Sequence, residues 1–561
     1  MSRNVLQSSL LNAGLSIIFQ VLCRIVTFGI NAFIVRNVGR EVLGIMNVRL
    51  LLLESTVLFL SREAINRAAL SATSQQREKC SWAQLINQQW LTVPICIAIS
   101  LPSVYIWLNW LSAVDAVFAS QYRFACYAVA LSCVIELCAE APVFIIQVFC
   151  FVKLKVILNT LHIFVRSVVF LWIVLGNGTV AIYAFAIAQL VSAFTILLSH
   201  YGFFAYYIKL FEDYKKSSKD KKESDWKPRI PFVDASVFDN MQDFPFRSLK
   251  QFLPGVMINK ESFFNSELQV LTLSFVKQGV LKQILTEGEK YVMSMSPVLS
   301  FSEQATYDVV NNLGSLAARF IFRPIEESSY FYFTQTIARD VALQEQNKKK
   351  VQQAAQVLSH LSLVVSSIGL LALVFGQSYA HTVLLLYGGA DFVADGLPVV
   401  LLKWHCLAIY FLAVNGITEG YMFATNTSQD IDKYNYLMAI FSVSFLVLSY
   451  VLTSIFGPVG FIFANCINMF SRICFSTRFI WLQYKPLDYN PLKGFLPKKL
   501  FLVTLIFVGI VCQYFMFNTS IIKHLALGVV SVLIVVAIWS YENQELIKLG
   551  WSYKRNKLKA L

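Results

Sequence analysis

Lys282–Met293 reads KQILTEGEKYVM, inside a run from about Phe275 to Leu299 that is long enough to cross a bilayer. Lys282, Glu287, Glu289 and Lys290 put four charges there. Projected at about 100° per residue, residues 276–293 divide into two faces. Gln278, Lys282, Gln283, Thr286, Glu287, Glu289 and Lys290 share one; Val280, Leu281, Ile284, Leu285, Tyr291 and Val292 share the other. Lys277 breaks the division, but it lies near one end and can snorkel. Facing lipid, the charges would cost roughly 10 kcal/mol, at about 2.5–3.5 kcal/mol each. Apolar side chains return only about 0.3–0.6 kcal/mol apiece. The charged face is therefore expected to meet water or polar partners, not acyl chains.

The rest of the chain sets the context for that helix. Its 561 residues are 57% hydrophobic and 14% charged, against about 25% charged in soluble proteins. Apolar runs near 20 residues recur from end to end, each enough for one membrane helix. They are continuous, not alternating, which disfavours a β-barrel. The expectation is an all-α polytopic membrane protein with about fourteen spans. Six centre on residues 10–35, 43–60, 85–108, 124–149, 156–175 and 180–208. Six more centre on 275–299, 307–334, 351–375, 397–424, 436–455 and 459–481, and a final pair on 500–517 and 521–539. The expected organisation is a six-helix lobe over 1–210, a polar cytosolic linker over 211–266, a second six-helix lobe over 267–484, and a terminal pair with a basic tail over 485–561. The linker reads as too polar to pack a core; its stretch Phe244–Val256 reads either as a helix on the membrane surface or as a disordered stretch. Each half opens with two polar helices, the second ending in charge at Phe59–Ala64 and Phe322–Ser328. Repeated halves around a binding space are a common transporter plan.

The formal net charge is +14. Alternate loops carry most of it, among them Arg62, Arg67, Lys153, Lys155, Arg339 and Lys348–Lys350, together with the middle segment and the tail. The opposite loops hold only Arg36, Arg40 and Lys523. The positive-inside rule makes the rich side cytosolic, with both termini there. Such topology explains the charge without nucleic acid, which would need a clustered basic domain. No cleavable signal peptide is expected before the first span. The eleven cysteines fall almost wholly inside spans and show neither metal-ligand spacing nor a disulfide framework. No cofactor or metal is expected, and the histidines are scattered. Sequons stand at Asn177, Asn426 and Asn518, the first and last on the far side.

Polar stripes recur on other helices. Gln20, Arg24, Thr27 and Asn31 align on the first span, and Asp308, Asn312, Ser315 and Arg319 on the eighth. Asn47, Arg49 and Glu54 lie on the second, Glu136 and Glu140 on the fourth, Asn159 and Arg166 on the fifth, and Lys403, Asn415 and Glu419 on the tenth. Such charges either pair off and hold helices together or line a polar passage. Taken as a set, they favour a central polar cavity. Basic groups there suit phosphate oxygens, and the amides suit sugar hydroxyls, which points to an amphiphile with an anionic head. No Walker A loop or nucleophile elbow occurs. Asp430–Asp432 is a D-x-D triplet, too short to argue for catalysis, and no enzymatic activity is expected.

Several stretches carry a resemblance: Ile30–Ala64, Phe151–Val156, Leu281–Met293, Tyr307–Ser328, Asn415–Glu419 and Gly460–Met469. In combination they resemble the eukaryotic family of endoplasmic-reticulum proteins for dolichol-linked oligosaccharide translocation. That family is similar to the multidrug/oligosaccharidyl-lipid/polysaccharide exporter superfamily. The resemblance implies two six-helix lobes in a V around a central cavity, here with two extra helices. It also implies a multi-pass protein of the endoplasmic-reticulum membrane, working by alternating access. Its substrate would be a dolichol-diphosphate oligosaccharide of five mannoses on chitobiose, moved from the cytosolic to the lumenal leaflet for N-glycosylation. Arg24, Arg36, Lys282 and Lys290 would hold the diphosphate. Asn31, Asn47, Glu289, Asp308 and Asn312 would hold sugars or steady the basic groups, and Lys153 and Lys155 would meet lipid phosphates. Membrane lipids and other N-glycosylation proteins are the partners implied. Two other roles stay open: a non-transporting accessory of the same pathway, and a cation-coupled exporter using Glu289 or Asp308.

Overall fold

A computed structural model describes residues 28–71, 80–111, 113–149, 151–217, 244–258, 262–295, 298–339, 341–518 and 520–548. Helices account for nearly all of the regular structure, and no strand occurs among the described residues. The chain packs as two units, Met1–Pro297 and Val298–Leu561.

The first unit contains α1 (28–37), α2 (Arg40–Gly44), a π turn (Ile45–Leu50) and α3 (Leu51–Ser71). There follow α4 (Trp82–Trp90), α5 (Thr92–Asn109), α6 (Ala116–Leu137), α7 (Glu140–Val148), α8 (Val152–Gly176), α9 (Ala181–Ser217) and α10 (Ser266–Met295). Helix α3 packs on α5, α6 and α10, while α9 packs on α6 and α8. Helix α10, expected to open the second lobe, thus joins α3 within the first unit. The packing boundary comes one helix later than residue 266.

The second unit contains α11 (Phe301–Ala317), a π turn (Ala318–Phe322), α12 (Arg323–Thr336), α13 (Lys348–Gly388), α14 (Ala390–Val393), α15 (Leu397–Thr425), α16 (Ser428–Phe456), α17 (Val459–Tyr484), α18 (Lys499–Asn518) and α19 (Ile521–Glu542). Helix α15 is central and packs on α11, α12, α13 and α17. The terminal pair α18–α19 has its own small core of Phe501, Leu505, Val508, Cys512 and Val535, which packs against Leu370, Val374 and Phe375 of α13. Polar ties reinforce it: Trp539 Nε1 donates to Ser367 Oγ at 2.9 Å, and the Tyr379 hydroxyl to the His524 carbonyl at 2.8 Å.

Eleven helices among the described residues are long and apolar enough to cross a membrane. They correspond one to one with eleven of the fourteen expected spans. Of the other three, most of the first lies outside the described residues. The seventh is α10, 30 residues long, and the eighth is the run α11–π–α12. Both are continuous helices, but their polar residues set them apart from the eleven.

Other expectations need correcting. The third span is two helices meeting at Leu91, and the fourth breaks at Cys138 and Ala139. Arg62 and Arg67 are not loop residues. Helix α3 continues past its apolar stretch to Ser71, because these side chains find carboxylate partners. The later part of the linker is neither disordered nor a helix on the surface: residues 244–258 are irregular chain around one short 3-10 turn, Leu249–Phe252, packed into the first unit. Phe244, Phe246 and Phe252 are at most 1% exposed, in an aromatic cluster with Phe204, Tyr207 and Trp82. Averaged composition hid three well-spaced aromatics. The polar helix α4 clasps this segment. Trp90 Nε1 donates to the Phe252 carbonyl at 2.6 Å, Asn87 Nδ2 to the Phe263 carbonyl at 3.0 Å, and Gly255 N to Asn87 Oδ1 at 2.8 Å.

Candidate functional site

In the first unit α3 carries charges on two sides, and the sides differ in kind. One turns to α6, α7 and α8. Arg62 Nη1 meets Glu136 Oε1 at 2.7 Å, and the Asn66 amide bonds Glu140, which is 2% exposed. Arg166 of α8 reaches Glu54 at 3.9 Å while donating to Gln189 Oε1 at 3.1 Å. These groups bind helix to helix, the outcome the sequence allowed for single residues.

The other side of α3 faces α10. Glu63 is held by Arg67 Nε at 2.7 Å, one helical turn away, and more loosely by Lys282 Nζ at 3.4 Å. The Lys282 side chain is 47% exposed, and its ammonium lies 5.6 Å from the centre of the Phe59 ring. A turn further along α10, Lys290 meets Glu287 at 3.5 Å. The Thr56 hydroxyl lies 2.7 Å from the Tyr291 hydroxyl, which also takes the Gln283 amide at 3.5 Å. A void of about 130 Å³ opens between Phe59, Glu63, Ile99, Gly279 and their neighbours. Val276 and Val280 line the same void and, like Ile284, are partly exposed. Within KQILTEGEKYVM, Lys282 and Tyr291 both reach α3, although the projection puts them on different faces, and the two lysines are paired but partly exposed.

The expected site residues are distributed unevenly. Arg24 lies outside the described residues, as does the side chain of Lys153. Asn31 and Arg36 are exposed on α1, Asn47 is half-buried in the first π turn, and Lys155 is exposed in the first turn of α8. Lys282, Glu289 and Lys290 share α10, the latter two half-buried. Asp308 and Asn312 belong to the second unit, on α11, where buried Asp308 accepts from Asn312 Nδ2 at 3.1 Å. Two partners escaped the sequence reading. Glu63, quoted only as a helix end, is the counter-ion of Lys282. Arg472 of α17 binds Glu419 of α15, which is 6% exposed and also takes Tyr434 at 2.8 Å and Asn415 at 3.0 Å. Arginine in the middle of an apolar span signals a buried acid opposite, and Glu419 was in plain view. The D-x-D triplet has a structural explanation at its first aspartate. Thr427 caps α16 by accepting from Asp430 N at 3.2 Å and donating to its carboxylate at 2.9 Å, while Lys433 Nζ bonds the same carboxylate at 2.8 Å. These bonds hold Asp430 below the usual carboxylate range.

Comparison with known proteins adds relatives. The profile of a family described as Rft protein matches residues 8–553. The chain is 68% identical to the Drosophila melanogaster protein named Man(5)GlcNAc(2)-PP-dolichol translocation protein RFT1, over 99% of both chains. It is 40% identical to the Xenopus tropicalis protein of that name, over 91% of this chain and 89% of the other. Its fold is similar to that of the lipid II flippase MurJ in an inward closed conformation, with a TM-score of 0.58 at 12% identity over 94% of this chain and 99% of the other. An inward-facing multidrug resistance MATE family transporter of the MOP superfamily aligns with a TM-score of 0.51 at 12% identity, over 82% and 94%.

Proposed function

This chain belongs to the Rft protein family, and we propose that it translocates a dolichol-diphosphate-linked, mannose-rich oligosaccharide across the endoplasmic-reticulum membrane. The movement runs from the cytosolic to the lumenal leaflet and serves N-glycosylation. The finer architecture proposed is fourteen spans, two six-helix lobes in a V around a polar passage, with both termini cytosolic. Near-complete alignment with a relative named for this translocation supports the reading, and the polytopic helical fold is compatible with it. The protein acts as a carrier and not as an enzyme, by exchange between states open to either side.

The observation that carries the site assignment is the contrast between two kinds of ion pair. Arg62–Glu136 and Arg472–Glu419 are close and sit among other bonds; removing either partner would strand a charge. Lys282 shares Glu63 with Arg67 and is half exposed. When Lys282 turns to a diphosphate, Glu63 keeps its arginine, so little is lost. Lys290 exchanges Glu287 for the same ligand on similar terms, adding a second cation where a diphosphate offers more than one negative charge. Arg24 and Arg36 complete the proposed diphosphate set. Asn31, Asn47, Glu289, Asp308 and Asn312 serve the sugars or position the cations, and Lys153 and Lys155 meet lipid phosphates at the cytosolic face.

The test is reconstitution of the purified chain in liposomes with labelled glycolipid, comparing wild type with Lys282→Ala and Arg24→Ala. Wild type is expected to move the lipid, and each variant to be slower by about tenfold, the scale of one lost charge-assisted bond. No movement by wild type overturns the carrier and leaves the accessory role. Unchanged movement in both variants overturns the residue assignment alone.

A further inference from the structure

A second polar feature lies within Val298–Leu561 and has no part in the reading above. A cavity of about 680 Å³ opens between α13, α15 and α18, with Lys403, Gln377, Gln513 and Tyr514 among its lining and Ile506 and Ile510 along its wall. Lys403 belongs to a membrane-spanning helix, where an ammonium is costly unless paired. Arg472 has Glu419 for its charge. No carboxylate reaches the Lys403 ammonium among the described residues. The surrounding polar groups are largely committed: Gln377 Nε2 donates to the Lys403 carbonyl at 3.1 Å, and Ser378 Oγ to the Gly509 carbonyl at 3.2 Å. Gln513 Oε1 is buried and has no hydrogen-bond partner. The cavity thus offers one unpaired cation and one unsatisfied acceptor.

Depth and access narrow the ligand. Lys403 stands six residues into α15, roughly 9 Å from its start at 1.5 Å per residue. Gln513 stands five residues from the end of α18, at a similar depth of about 7–8 Å. That is near the boundary between headgroups and acyl chains of one leaflet. Ile506, Ile510 and Tyr514 are 58%, 65% and 66% exposed, so an apolar surface leads out of the cavity. Among anions at that level with apolar chains attached, a phospholipid phosphate brings acyl chains that can run along Ile506 and Ile510.

We propose that this cavity binds the headgroup of an anionic phospholipid. Lys403 meets the phosphate, Gln513 Oε1 accepts from a headgroup hydroxyl, and the acyl chains run along Ile506 and Ile510. The terminal pair then builds a lipid site by bringing α18 against α13 and α15.

Native mass spectrometry of the purified full chain tests this, with phosphatidylinositol or phosphatidylcholine added to wild type, Lys403→Met, Lys403→Arg and Gln513→Leu. Wild type and Lys403→Arg are expected to retain one phosphatidylinositol that Lys403→Met binds about tenfold more weakly. Phosphatidylcholine, whose choline offers no hydroxyl donor, should bind wild type more weakly than phosphatidylinositol does and lose nothing in Gln513→Leu. Should Lys403→Met fail to fold, Gln513→Leu carries the comparison, with an expected loss of about threefold. Equal phosphatidylinositol binding by wild type and the variant compared overturns the proposal. So does displacement of the lipid by millimolar inorganic phosphate, which would assign the site to a free anion.

Discussion

Glu63 and Glu419 each hold a cation between helices, and the difference between them is exposure. Glu419 is buried and receives four donor groups from three side chains. Arg472→Met should therefore cost about 3–5 kcal/mol, because the carboxylate keeps its burial and loses its charge partner. Pairing it with Glu419→Leu should restore much of that, since two apolar groups need no compensation. Thermal unfolding in detergent reads both; equal melting of the single variant and wild type would refute the buried pair. Asp430 tests a milder case. Its carboxyl is held low by Lys433 and Thr427, so its contribution is complete above the ordinary carboxylate range and fades as pH falls through the depressed value. Asp430→Asn should flatten the acid limb of a melting-temperature profile and leave lipid movement unchanged. Thr427→Ala, which removes the cap itself, should cost about 1 kcal/mol. These residues show where sequence reading stops. Charge in an apolar run was visible at Lys282 and Glu419. Which residue answers it depends on helices far apart in the chain, so Glu63 and Arg472 became visible only with the packing.

Helix α4 and the segment after residue 243 make the same point for whole elements. The expected third span begins at Leu85, inside WAQLINQQW, yet Gln84, Asn87, Gln88 and Gln89 are all buried. The amides of Gln84, Asn87 and Gln88 answer backbone and side-chain groups of residues 255–272, as when Gln88 Nε2 donates to Thr272 Oγ1 at 3.0 Å. Asn87→Leu removes both bonds that seat Gly255 and Phe263. The expected outcome is faster tryptic cleavage at Arg247 and Lys250, both exposed beside the buried aromatics; an unchanged digestion rate would show that the aromatic cluster alone holds the segment. The position of most apolar spans was legible, because apolar runs state it directly; the breaks at Leu91 and at Cys138–Ala139 were not. Tertiary use of a polar stretch was not, since hydrogen-bonding amides look the same in sequence whether they face water or a partner strand of chain. The two π turns, Ile45–Leu50 and Ala318–Phe322, were equally silent. Each adds a residue to one helical turn, which shifts the face presented by everything after it and so degrades a projection carried across it.

For the whole molecule, the open question is parity. Eleven spans among the described residues follow from length and apolarity, and three further crossings are proposed: α10 and the α11–π–α12 run, whose polar residues keep them below that standard, and the first expected span, most of which lies outside the described residues. An even total puts residue 1 and residue 561 on one side; an odd total separates them. The basic residues of the tail and of Lys215–Arg229 then face the same compartment if α10 and the α11–π–α12 run both cross or both do not, and opposite compartments if only one crosses. If only one of them lay along the surface, every later loop would change sides, and the Lys- and Arg-rich loops of the second half would lie opposite those of the first. Sealed microsomes decide the matter. With one epitope in the 218–243 segment and another after Leu561, both are expected to be removed by external protease before the membrane is opened. Protection of the terminal epitope alone would mean an odd number of crossings after the middle segment. It would also turn the terminal pair over and place the Lys403 cavity in the opposite leaflet, where phosphatidylinositol would have to be supplied from the other side.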